Sequence, residues 1–163
     1  PIFYCHDTGS FTEEPTHPGN VFWPQAVAAN KVYAMLDRHQ QAQSLAPRSP
    51  KENAIGFHGK AERPGLSVTD LTNEQKDELG KVLKLLLEPF RPSDQAEVDQ
   101  CLASQGGIDA CRLVFYQQKD LGNDGVWDNW RLEGPSFVWH FRGAPHVHVW
   151  VNIADSPQVP TNA

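Results

Sequence analysis

The feature that most constrains the fold is a change of hydrophobic period partway along the chain. Up to about Leu102, apolar residues recur at helical spacing, whereas beyond Cys111 they come in short aromatic and β-branched runs separated by turn residues. Helices that come first and strands that follow in a block do not alternate into a doubly wound sheet. The pattern therefore predicts an α+β fold, about three helices followed by an antiparallel meander of about four strands. At 163 residues a single core suffices, because a chain of this size removes roughly two thirds of its extended surface from water. The expected organisation is one domain over 1–154 with a tail or linker over 155–163, where Pro157 and Pro160 lie.

Pro24 suits a first helical turn, and Ala26, Val27, Val32, Tyr33, Met35 and Leu36 predict one amphipathic helix reaching about Leu45, ended by Pro47 and Pro50. The polar stretch through Arg63-Pro64-Gly65 predicts a long surface loop. Thr72 and Gln75 form a capping-box pattern that starts a second helix through Leu79, Val82 and Leu86, which Glu88-Pro89 stops. Ser93 is a cap for a shorter third helix that leaves at Gly106-Gly107. The predicted strands are Leu113 to Gln117, Trp127 to Leu132, Phe137 to Phe141 and His146 to Ile153, with a further β-prone run from Ile2 to Cys5.

A formal net charge of −6 without clustered Lys and Arg argues against a nucleic-acid partner. The longest apolar runs, such as Leu85-Leu86-Leu87, fall far short of the roughly 20 residues that span a bilayer, so no membrane span is expected. No P-loop, dinucleotide fingerprint or Gly-x-Ser-x-Gly elbow occurs, and Gly122-Asn123-Asp124-Gly125 lacks the spaced carboxylates of a calcium loop. Cys101 and Cys111 bracket a glycine-containing segment, which predicts a disulfide and with it an oxidising compartment. Cys5 is then left over as a free thiol, a partner for an absent segment or a ligand.

The segment His146-Val147-His148-Val149-Trp150-Val151 carries the most chemical information. In a strand, His146, His148, Trp150 and Asn152 share one face and the valines the other. With a four-residue turn before this strand, Phe137, Trp139 and Phe141 would line the histidine face and His140 would lie opposite. Imidazole pairs suit copper, zinc or iron, copper being preferred for its affinity for imidazole and for an exported setting. The N-terminal stretch is the richest source of further donors, His6 and His17 first among them. The expected function is thus an exported metal-binding protein, extracytoplasmic and in one version a copper-dependent oxidoreductase, with metal ligands His146, His148, His6 and His17. The alternatives are a noncatalytic glycan- or protein-binding module that uses its five tryptophans in the open, or a structural segment of a larger enzyme.

Three further segments, His17-Pro18-Gly19-Asn20-Val21-Phe22-Trp23, Asp128-Asn129-Trp130-Arg131-Leu132-Glu133-Gly134 and Phe141-Arg142-Gly143-Ala144-Pro145-His146-Val147-His148, resemble the C-terminal part of an exported bacterial family known only as domain of unknown function 3500. The resemblance implies export and a longer precursor, and supplies no activity, cofactor or catalytic residue. It agrees with an opening, Pro1-Ile2-Phe3-Tyr4, that has no initiator Met and reads directly as a strand. The expected partner is the missing N-terminal part of the same precursor, or another subunit; the alternative is an intact domain with a trimmed end.

Overall fold

The computed structural model describes residues 2–6, 17, 21–59, 63–122 and 124–161. Chain order runs β1 (Ile2–His6), α1 (Trp23–Met35), α2 (Arg38–Ser44), β2 (Leu45–Ala46), β3 (Leu66–Ser67), α3 (Asn73–Leu87), α4 (Pro92–Ser104), β4 (Arg112–Tyr116), β5 (Asn129–Gly134), β6 (Phe137–Arg142) and β7 (Val147–Ile153). The class is α+β. Strands β4 to β7 form the expected antiparallel meander. The sheet is extended beyond it by β1, antiparallel to β7, and by the two-residue strands β2 and β3, both paired to β4. Gly65, at φ +99°, lets β3 approach β4, since a Cβ there would stand 2.5 Å from the Leu113 carbonyl oxygen.

One face of the sheet carries Phe115, Trp130, Leu132, Trp139, Phe141 and Val149, all fully buried. Helices α1 and α3 cover it with Ala26, Val32, Leu79, Val82 and Leu86, closing the main core. The face of the last hairpin differs from the expectation. Phe141 pairs with Val149 and Arg142 with His148, which leaves five residues between Arg142 and His148. A four-residue turn over 142–145 would pair Phe141 with His146; the partner has instead moved by three positions to Val149, and an odd shift exchanges faces. Phe137, Trp139 and Phe141 therefore sit with the valines in the core, and His140 shares the face of His148.

The single helix expected to Leu45 is two. Leu36 adopts an extended conformation, and Asp37 opens α2 with a capping box: its carboxylate accepts from Gln40 N–H at 2.8 Å while Gln40 Oε1 accepts from Asp37 N–H at 3.0 Å. The capping box of Thr72 and Gln75 is formed as expected. Gln75 Nε2 also donates to Met35 O at 2.8 Å and to Gln40 Oε1 at 2.9 Å, tying the two helix starts together. Helix α4 begins at Pro92 after Arg91, without a side-chain cap from Ser93.

Cys5, Cys101 and Cys111 are free thiols, so the expected bridge is not formed. Cys101 lies within α4, which runs on to Ser104, and a 3-10 turn over Ile108–Ala110 separates it from Cys111. Cys111 is fully buried, its Sγ 3.9 Å from the Gly107 carbonyl, and burial pushes its thiol up to about 12. No helix of the described residues is long and apolar enough to cross a membrane.

Candidate functional site

The second face of the sheet is unusually polar for an interior surface. Tyr116, Arg131, Glu133, His140, Trp150 and Asn152 lie on it and all are buried. The described residues of the long loop after β2 pack over this face. Ile55 on that segment is fully buried and packs with Val138 and Trp150. Gly59 N–H donates to Pro135 O at 3.0 Å, and Glu52 pairs with Arg142. A loop laid over strand residues that alternate between core and polar positions makes two constellations possible.

At one end stands the histidine pair. His148 is on β7, and His146 is in the turn just before it rather than on the strand. Their rings nonetheless meet, with centroids 4.5 Å apart and Nε2 to Nε2 at 2.8 Å. Both are half-buried. On the far side of His148, Nδ1 lies 3.6 Å from Glu52 Oε1, so a carboxylate flanks the ring nitrogen that does not face His146. Trp150 stands edge-on to His148 at 5.4 Å, and the Arg142 guanidinium lies 5.9 Å over the Trp150 ring.

At the other end, Glu133 joins Arg131 and His58. Arg131 Nη1 donates to Glu133 Oε2 at 3.2 Å, and His58 Nδ1 meets Glu133 Oε1. Arg131 and Glu133 are each 3% exposed, while the His58 side chain is 45% exposed. These three line a cleft of about 360 Å³ between the covering segment and the sheet. Burial pushes the Tyr116 phenol in its wall up to about 12, so that it keeps its proton. Between the two constellations lies His140, 2% exposed, whose ring is 6.1 Å from Tyr116 and 5.4 Å from Trp150. Burial first, and then the positive charge of Arg131, hold its pKa well below the usual histidine range. It is a neutral imidazole at neutral pH.

Of the residues expected to bind metal, the structure thus brings His146 and His148 together. His6 is the register partner of Val147, while Cys5 is that of His148; the His6 side chain lies outside the described residues. His17 is half-buried. Among the described residues, no group of three or more His, Cys, Asp and Glu side chains is gathered to hold an ion. Trp23, Trp130, Trp139 and Trp150 are buried and Trp127 is partly so, which removes the open indole faces that a glycan-binding module would use. Sequence reading missed Arg131, His140 and His58. The detectable signal was Asn129, Arg131 and Glu133 at alternate positions of one strand, which puts three polar groups on a single face.

No protein-family model, curated protein or solved structure matches the chain.

Proposed function

We propose that this chain is an exported transition-metal-binding protein in which His146 and His148 supply two ligands through Nε2. Copper is the preferred ion, zinc or iron could use the same donors, and metal-dependent oxidoreductase chemistry is the activity that such a site would serve. The observation that carries the reading is the 2.8 Å separation of the two Nε2 atoms. Two nitrogens bound to one ion at about 2.0–2.1 Å stand about 2.9–3.4 Å apart when the angle between them is about 90–110°. Small ring rotations therefore convert the metal-free contact, in which one Nε2–H donates to the other ring, into a chelating pair. Glu52 beside Nδ1 favours the tautomer that leaves Nε2 of His148 free to coordinate. His6 and His17 are the proposed further donors, with solvent filling what they leave.

The test is the metal content of protein purified without chelator. The expected result is about one equivalent in the wild type and its loss in the double variant His146→Ala/His148→Ala. Metal far below one equivalent, or a content that the double variant leaves unchanged, rejects the site.

A further inference from the structure

The cleft beside Glu133 has a charge balance opposite to that of the whole chain. Among the described residues three guanidiniums, from Arg48, Arg63 and Arg131, line it against the single carboxylate of Glu133, although the chain carries a formal net charge of −6. Arg131 is the informative one. It is 97% removed from solvent, yet Glu133 uses only Nη1, and its Nε and Nη2 have no hydrogen-bond partner among the described residues. A buried guanidinium with two unmet donors is costly in a folded protein, because each lost contact with water has to be replaced. Neighbouring Arg63 spends Nη1 on Gly59 O and Nη2 on Ala110 O, and its Nε is likewise without a partner among the described residues. Beside these donors the wall is apolar, formed by Ala46, Pro50, Ala54 and Pro64.

We propose that this cleft binds a small organic molecule bearing an oxyanion, a carboxylate or phosphate, with Arg131 as its anchor. The planar fork of a guanidinium matches two oxygens of such a group at once. The volume of about 360 Å³ falls at the small end of ligand cavities, which suits a single ring or a short chain against the prolines and alanines. Glu133 serves two purposes: it fixes Arg131 through Nη1 and turns His58, so that the other ring nitrogen is available to the ligand. Because Arg131 is almost fully enclosed, entry of the ligand requires the covering segment to shift, and occupancy would lock that segment down. This site shares no residue with the histidine pair.

The test is calorimetric titration of the full chain with benzoate, phenyl phosphate and neutral benzamide, in the presence of a chelator so that the outcome is independent of metal. The expected result is one equivalent of benzoate or phenyl phosphate bound and no benzamide, with affinity reduced at least about tenfold in Arg131→Gln and several-fold in Arg48→Ala. Equal binding of benzoate and benzamide, no binding of either oxyanion at millimolar concentration, or undiminished affinity in Arg131→Gln overturns the proposal. Inorganic phosphate binding as tightly as phenyl phosphate overturns its organic part. Should Arg131→Gln fail to fold, the exposed Arg48 decides, and an unchanged affinity in Arg48→Ala then counts against the site.

Discussion

His140 and Trp150 are register partners on adjacent strands, and their rings lie 5.4 Å apart beneath the segment that carries Ile55. The imidazole is packed against an indole and a phenol, and its burial and the Arg131 charge both disfavour a proton on it.

A dependence of stability on pH follows. The folded-state pKa of His140 is lowered, so below about 6.5 the unfolded chain takes up a proton that the folded chain refuses. Above that pH both states are neutral and the group contributes nothing to the slope. As pH falls through 6 towards 5, stability should drop by up to about 1.4 kcal/mol per pH unit on account of this one residue. Denaturant titrations of wild type and His140→Gln between pH 7.5 and 5 should show the shallower slope in the variant, whatever its absolute stability. Parallel lines would mean that the imidazole is protonated in the fold.

Among the described residues Glu133 is the only carboxylate lining the Arg131 cleft, and its removal should be far more damaging than removal of its other partner. Glu133→Ala leaves a buried guanidinium without a counter-charge and should cost about 3–5 kcal/mol in chemical denaturation. His58→Ala removes a half-exposed ring and should cost no more than about 1 kcal/mol. Equal effects would show that Arg131 is compensated elsewhere.

Two glycines should respond in opposite directions. Gly80 lies inside α3 with nothing within 4 Å of an added Cβ, so Gly80→Ala should stabilise by about 1 kcal/mol through helix propensity alone. Gly65→Ala would drive a methyl group to 2.5 Å from the Leu113 carbonyl oxygen at φ +99°, and should lower the melting temperature by several degrees. Similar melting temperatures for the two variants would contradict the close approach of β3 to β4.

How much of this was legible in the sequence depended on whether the signal was local. The Thr72 and Gln75 box marked the start of α3 because a helix cap is written within four residues. Asp37 and Gln40 wrote the same signal, but the apolar spacing on either side masked it and two helices read as one. The meander followed from turn residues between apolar runs, yet its last register hung on where the turn closes, and an odd shift there decides the face on which His140 and three aromatics lie. The histidine pair survived this error because His148 keeps its own alternation on β7 while the turn brings His146 to it. The alternation of Asn129, Arg131 and Glu133 was legible, but the joining of His58 to them was beyond reach. That contact joins residues 75 positions apart, through a covering segment whose only sequence sign was polarity.

Electron paramagnetic resonance of the full chain with one equivalent of Cu(II) tests the metal pair most directly. A tight site at His146 and His148 should give nitrogen coupling from at least two imidazoles, and the double variant His146→Ala/His148→Ala should lose two of them. A wild-type spectrum without nitrogen coupling, or one that the double variant reproduces, would contradict metal binding by these rings.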